Sequence, residues 1–179
     1  MECCYVPIAI LVALASGAQP HPIRRLSEGV LISSADPPLR FRPDAGFSYL
    51  GKVPIRIDDI ATGERHVFVD GEGQHVRRLL ILQFEGFLPG VNDYYKYPMR
   101  NPIKLAGETY TRGTFIFSNA ASQRAAPGLE ADVTLRFLKA RGYQPADAQM
   151  TARFARVVDE RRRHEFIIFS IRKQPLTMG

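Results

Sequence analysis

The feature that most constrains the fold is a series of short β-type segments separated by turns within residues 47–87. Lys52–Asp58 alternates apolar and polar residues, as a half-buried strand does, and Arg65–Asp70 is a second such segment. Asp70–Gly73 is a turn signal, because its glycines adopt positive φ at low cost. The apolar run within Val76–Phe87 is typical of a strand covered on both faces. The pattern predicts an antiparallel meander.

The second half of the chain adds one helix and more strands. Leu129, Val133 and Phe137 recur every four residues, which predicts a helix over about 129–141 with Gly142 just past its end. Residues 108–118 have the composition of a strand.

The last part of the chain predicts a C-terminal hairpin. Arg153–Val158 forms its first strand, Asp159–Arg163 its polar tip, and His164–Ile171 its second strand. The arginine run at the tip is interpreted as a solvated turn.

We therefore predict an α+β fold, with an antiparallel sheet of five to seven strands (a meander plus the C-terminal hairpin) and one main helix packed on it. The alternative is a small β-barrel with the helix as a plug. In the first arrangement Leu80, Leu82 and Phe84 are expected to lie buried under Val133 and Phe137 of the helix.

The N-terminus carries the pattern of a targeting segment. An uncharged apolar run from Val6 to Ala15 is followed by Ser16-Gly17-Ala18, which is typical of a secretory signal peptide over residues 1–18. The run is too short for a membrane-spanning helix, which needs about 20 apolar residues. An uncleaved anchor and a misplaced start codon are the alternatives. Both cysteines, Cys3 and Cys4, lie in this segment, so cleavage leaves a chain without thiol chemistry.

The remaining organisation is simple. Residues 19–46 are rich in proline and are interpreted as an N-terminal tether, and residues 47–174 as a single α+β domain. No further segment is apolar enough to span a membrane. Lysine and arginine exceed aspartate and glutamate by 24 to 18, but the arginines are spread along the chain and no nucleic-acid recognition motif is present. A nucleic-acid partner is therefore not expected.

Evidence for catalysis is restricted to two histidines. The sequence has no nucleophile elbow, P-loop, dinucleotide fingerprint or H-E-x-x-H zinc motif. His66 and His75 flank the Asp70–Gly73 turn, so strand pairing could bring the two imidazoles together as a general base or as metal ligands. A metal would need a third ligand such as Asp70 or Glu72. We predict no cofactor, no metal site and no catalytic residues, with this histidine pair as the runner-up site.

The strongest candidate for a binding site is the loop within residues 86–107, which is too long for a plain connector and too aromatic for a disordered segment. Tyrosine offers flat apolar area with a polar end, and the neighbouring positive charges favour anionic groups. The predicted ligand-binding residues are Tyr94, Tyr95, Tyr97, Lys96 and Arg100. The alternative is that these tyrosines fold inward as a structural flap.

Together these observations predict a small exported protein, periplasmic or secreted, that binds a partner and has no catalysis of its own. It would use the aromatic and basic loop 86–107 beside an apolar pocket, for a small apolar or anionic ligand or an envelope partner. The alternatives are a small hydrolase or metal-dependent enzyme centred on His66 and His75, and a structural envelope protein. The sequence does not specify the oligomeric state.

Overall fold

Antiparallel β-structure dominates the chain. The computed structural model describes residues 23–125 and 128–173; the predicted signal peptide over residues 1–18 lies outside them. A small three-stranded sheet comes first, in the order β1-β2-β3. Its strands are β1 (Arg24–Ser27), β2 (Val30–Ser33) and β3 (Leu39–Phe41).

A larger sheet of seven strands follows, in the order β4-β5-β6-β10-β9-β8-β7. All of its neighbouring strands pair antiparallel. Its strands are β4 (Ser48–Ile57), β5 (Ala61–Glu72), β6 (His75–Phe87), β7 (Ile103–Leu105), β8 (Glu108–Ser118), β9 (Ala148–Val157) and β10 (His164–Lys173).

This topology confirms the antiparallel sheet, the β4-β5-β6 meander and the C-terminal hairpin of β9 and β10. The barrel alternative is wrong: in the described part of the chain β4 and β7 lie at opposite ends of an open sheet. Two helices connect β8 to β9, and these are α1 (Asn119–Ala125) and α2 (Glu130–Lys139).

The main helix α2 lies where the sequence predicts it. Asp132 accepts a hydrogen bond from the backbone N–H of Gly128 at 2.8 Å, which satisfies one donor near the helix N-terminus. After the last turn Gly142 adopts a φ of +80°, and the N–H of Tyr143 bonds to the carbonyl of Leu138 at 3.1 Å. A left-handed glycine followed by such a bond is a usual helix stop.

One face of the large sheet packs against α2, and we call it the helix face. Its core joins Val67, Val69 and Leu79 of the meander to Phe137 and Leu138 of α2. The prediction that Leu80, Leu82 and Phe84 lie buried under α2 is wrong. Leu82 and Phe84 are buried and Leu80 is half-buried, but all three lie on the other face, because neighbouring strand residues point to opposite sides.

The opposite face is covered by the small N-terminal sheet. Leu31 of β2 is fully buried in one core with Phe68, Leu82 and Phe166 of the large sheet. The segment 19–46 was expected to be a proline-rich tether, but its residues 24–41 form strands and supply core. Pro37 and Pro38 lie between β2 and β3, and Pro43 lies between β3 and β4, where the missing N–H costs little.

Within the described ranges, no helix is both long enough and apolar enough to cross a membrane.

Candidate functional site

The helix face is only partly covered by α2, which packs over β4 near Gly51. This residue has a φ of +134°, and a Cβ built there would lie 3.3 Å from the ring of Phe137. Glycine at this position therefore lets α2 approach closely over β4. The helix lies over the β4 side of the sheet, and a cavity lies between it and strands β6, β8, β9 and β10.

The cavity has a volume of about 290 Å³. Most of its wall is apolar, and the side chains come from both the helix and the sheet. They include Leu79, Ile81, Phe115, Phe117, Leu135 and Phe169. A smaller polar group lines the same space, namely Arg65, Asn119, Glu130, Thr134, Gln149, Thr151 and Arg153. An apolar concavity with few polar groups is the usual form of a small-molecule site.

Arg65 closes the inner end of the cavity and is almost fully buried. Its Nε donates to Gln83 at 2.6 Å, and its Nη1 donates to the carbonyl of Glu130 at 2.6 Å and to the Thr134 hydroxyl at 2.7 Å. Burial lowers the pKa of Arg65, and nearby Glu130 opposes that shift. These bonds tie β5 to the first turns of α2, so Arg65 fixes the helix in place.

Two acidic residues lie side by side further along the helix face. Glu85 of β6 is the direct cross-strand partner of Glu165 of β10. Glu85 accepts hydrogen bonds from the Tyr95 hydroxyl at 2.9 Å and from the Gln83 amide. Glu165 accepts from the Tyr97 hydroxyl at 2.7 Å and from Nη2 of Arg153 at 2.9 Å. The tyrosines therefore contact the same carboxylate pair as the cavity residue Arg153.

The environment of Glu85 favours its protonation. Burial, followed by the charge of Glu165, raises the pKa of Glu85 to about 7. Burial also raises the pKa of Tyr95 and Tyr97 well above the ordinary range, so both hydroxyls stay protonated and can donate.

The loop that carries these tyrosines is fixed by the tip of the C-terminal hairpin. Arg163 donates to the carbonyls of Val91 at 2.6 Å and Leu88 at 3.0 Å, and Arg162 donates to the carbonyl of Tyr95 at 2.8 Å. The N–H of Tyr95 bonds back to the carbonyl of Arg162 at 2.9 Å. The tip is therefore not simply solvated, as the sequence had suggested, because two of its arginines hold loop backbone.

The predicted loop residues fall into two groups. Tyr95 and Tyr97 are half-buried and point at the acidic pair, in the manner of the flap alternative. Tyr94, Lys96 and Arg100 are exposed, and the Lys96 ammonium lies 4.5 Å from the Tyr94 ring centre. None of these five residues is among those that line the cavity. The structure places the loop beside the cavity and connects the two through Glu165.

The two candidate histidines do not meet. His66 of β5 pairs with Leu82, whereas His75 at the start of β6 pairs with Glu72 at the end of the hairpin. Seven strand residues separate the two positions along β6, which is about 23 Å. His66 is 1% exposed and His75 lies at the surface. The pair therefore provides neither a shared metal site nor a two-histidine catalytic centre.

His66 instead forms a hydrogen-bonded chain on the opposite face. Its Nδ1 lies 2.9 Å from the Tyr49 hydroxyl and its Nε2 lies 3.2 Å from Glu64. The Nε2–H tautomer satisfies all three groups, because it donates to Glu64 and accepts from Tyr49. The bond from His66 lowers the pKa of Glu64 to about 2, and burial raises the pKa of Tyr49 to about 12. Across the described residues, no three histidine, cysteine or acidic side chains group as metal ligands.

The residues that form the cavity are not among those that the sequence predicts for a site. Arg65 and Arg153 sit in strands of mixed composition, and nothing local distinguishes them from surface arginines. The available signal was the position of charged or amide residues among buried neighbours, such as Gln83 and Glu85 after the apolar run of β6.

Comparisons with protein-family models, curated proteins and solved structures found no match for this chain.

Proposed function

We propose that this chain is a small exported binding protein without catalysis of its own, and that it holds an apolar ligand with an anionic head in the cavity under α2. The observation that carries the proposal is the cavity itself, whose apolar wall ends at Arg153. Its volume of about 290 Å³ lies just below the usual range for ligand cavities, about 300–1,000 Å³. A short hydrocarbon or single-ring compound is the class that fits.

Arg153 is the group best suited to hold the head of such a ligand. Its side chain is 33% exposed, and in the described part of the chain its polar contact is the Nη2 bond to Glu165. A guanidinium has five N–H donors in a fork that matches a carboxylate. Arg65 is less suited, because its donors already hold Gln83, Glu130 and Thr134.

The tyrosine loop supports the site indirectly. Tyr97 shares the Glu165 oxygen with Arg153, so the loop helps to position the guanidinium. In this proposal the loop acts beside the cavity, through Glu165 and Arg153, and does not line it. The exposed Tyr94, Lys96 and Arg100 remain predicted contacts for an anionic or envelope partner.

Export is the second part of the proposal, and the apolar segment ending in Ser16-Gly17-Ala18 supports it. N-terminal sequencing of the protein from a periplasmic or secreted fraction is expected to begin at Gln19. An intact Met1 on protein confined to the cytosol would contradict export.

Calorimetric titration with octanoate and octanol tests the ligand class, because the two differ only in the head group. We expect octanoate to bind more tightly than octanol, and Arg153→Gln to remove that difference. Arg153→Lys keeps the positive charge but loses the forked set of donors, so it should retain part of the difference in affinity between octanoate and octanol. Arg56→Gln on the exposed end of β4 is the matched control.

A size change tests the cavity separately. Ala131→Phe places a ring where α2 lines the cavity, and should abolish binding of both compounds. Ala140→Phe introduces the same side chain at the exposed end of α2, and should leave binding unchanged. Equal binding by wild type and Ala131→Phe would overturn the proposed site.

A further inference from the structure

The two edges of the large sheet are protected very differently. The outer edge of β4 carries Lys52, Pro54 and Arg56, all exposed, and a bulge interrupts its pairing near Gly51. Charged residues, proline and bulges are the features by which natural sheets prevent edge-to-edge pairing. The β4 edge therefore resists the addition of another strand.

The other edge lacks these features along much of β8. The short strand β7 pairs only with Glu108–Tyr110, and the N–H of Arg112 bonds to the carbonyl of Arg100 at 3.0 Å. Beyond this point, no described strand pairs with the outer side of residues 113–118. This stretch contains no charge and no proline, and Phe115 and Ile116 are 42% and 63% exposed.

The backbone of this edge is oriented for pairing. The N–H of Arg112 points away from β9, because it bonds to Arg100 in the loop. In an antiparallel strand the hydrogen-bonding direction alternates along the chain. The N–H and C=O groups of Thr114 and Ile116 therefore also point outward.

We propose that a second copy of this chain pairs antiparallel with β8 about a two-fold axis through Ile116. This register keeps the helix faces of both copies on the same side of one continuous sheet. It sets Ile116 opposite the second copy's Ile116, and Phe115 opposite the second copy's Phe117. An isologous contact of this kind closes a dimer, and the outer edges that remain are the two protected β4 edges.

Charge complementarity favours a second copy over a foreign peptide. The Asp147 carboxylate lies at the end of β8, where it accepts from the N–H of Ala120 at 2.6 Å and from the Ser118 hydroxyl at 3.0 Å. In the proposed register, the exposed Arg112 of one copy lies beside the end of β8 that carries Asp147 in the other copy. The contact thus has an apolar centre flanked by two equivalent Arg112–Asp147 ion pairs, which the chain itself supplies.

The dimer does not depend on the proposed ligand, although the two are adjacent. Phe115 and Phe117 both line the cavity, so a strand added to β8 would extend its outer wall. Failure of octanoate to bind would leave the dimer untouched, and a monomer that binds octanoate would overturn the dimer alone.

Cysteine cross-linking of the full chain tests the register, with Cys3→Ser and Cys4→Ser in every variant. Hydrogen-bonded antiparallel residues have Cα atoms about 5.5 Å apart, within the range of a disulfide. Ile116→Cys is therefore expected to form a covalent dimer on mild oxidation. Thr114→Cys is the control, because its own symmetry mate lies four residues away along the strand, about 14 Å. Equal cross-linking of the two variants would overturn the register.

Sedimentation over a concentration series tests the dimer itself. We expect self-association that Ile116→Lys weakens at least tenfold, and that Ile60→Lys, an exposed isoleucine near the far edge, leaves unchanged. Arg112→Asp should also weaken association, and Arg112→Asp combined with Asp147→Arg should restore it. A chain that stays monomeric at all concentrations, or a dimer insensitive to Ile116→Lys, would overturn the proposal.

Discussion

Glu85 and Glu165 lie directly opposite one another on β6 and β10, on the face of the sheet that also carries the cavity. Each accepts a tyrosine hydroxyl from the same loop, Glu85 from Tyr95 and Glu165 from Tyr97. Two buried carboxyls at neighbouring positions disfavour double ionisation. Of the two carboxylates, Arg153 donates to Glu165. Burial, followed by the charge of Glu165, raises the pKa of Glu85.

This relationship gives the stability a pH dependence. The pKa of Glu85 is about 7 in the folded chain, against an ordinary value of 4.5. The folded state therefore binds this proton more tightly than the unfolded state. Its contribution is present in full below about pH 4.5 and is lost as the pH rises through about 7.

We expect the free energy of unfolding to fall between these pH values by on the order of 1–3 kcal/mol more in wild type than in Glu85→Gln. Urea unfolding of both proteins at pH 4.5, 6 and 8 measures this difference in the free energy of unfolding. Parallel curves for the two proteins would show that Glu85 is ionised normally.

The tyrosines of the loop should differ in their effect on stability. Tyr95→Phe removes one of the two donors to Glu85 and leaves only the Gln83 amide, which costs about 1–3 kcal/mol. Tyr94→Phe, at an exposed position, should change the free energy of unfolding by less than about 0.5 kcal/mol. Denaturant melts of the two single variants compare them. Equal stabilities would show that the Tyr95 hydroxyl has no structural role.

The hairpin tip should control the order of the loop. Arg163→Ala removes the bonds to the carbonyls of Val91 and Leu88, whereas Arg161→Ala changes an exposed arginine of the same run. Amide hydrogen exchange of residues 88–97 is expected to accelerate in the first variant and not in the second. Matching exchange rates in both variants would contradict the anchoring role.

The N-terminal sheet should contribute to stability. Leu31→Ala deletes a fully buried side chain against Phe68 and Leu82, and such changes cost about 2–5 kcal/mol. Leu26→Ala, at a 40% exposed position of β1, is the control and should cost far less. Thermal melts of both variants measure the difference. A loss below about 1 kcal/mol for Leu31→Ala would mean that the segment is a tether after all.

Much of the fold follows from local sequence pattern, because alternation and turn residues act over a few positions. The meander, the helix over about 129–141 and the C-terminal hairpin are all of this kind. The sheet face to which each side chain points is harder to predict from the sequence, because a one-residue shift in strand register reverses it. This is why Leu82 and Phe84 were assigned to the helix and instead pack under Leu31.

The site was less predictable, because its contacts join residues far apart in sequence. The loop was singled out by its length and tyrosines, but its partners Glu85 and Glu165 belong to separate strands. The acceptors of Arg163 are backbone carbonyls, which carry no residue signature. His66 and His75 were paired by their closeness to a turn, and the long hairpin separates them.

The central claim is that the cavity under α2 binds an apolar molecule with its anionic head at Arg153. A crystal structure of the protein grown with octanoate tests it most directly. We expect the hydrocarbon chain to lie between Leu135 and Phe169, with a carboxylate oxygen within hydrogen-bond distance of the Arg153 guanidinium. Octanoate bound elsewhere on the surface, with the cavity closed by its own side chains, would contradict it.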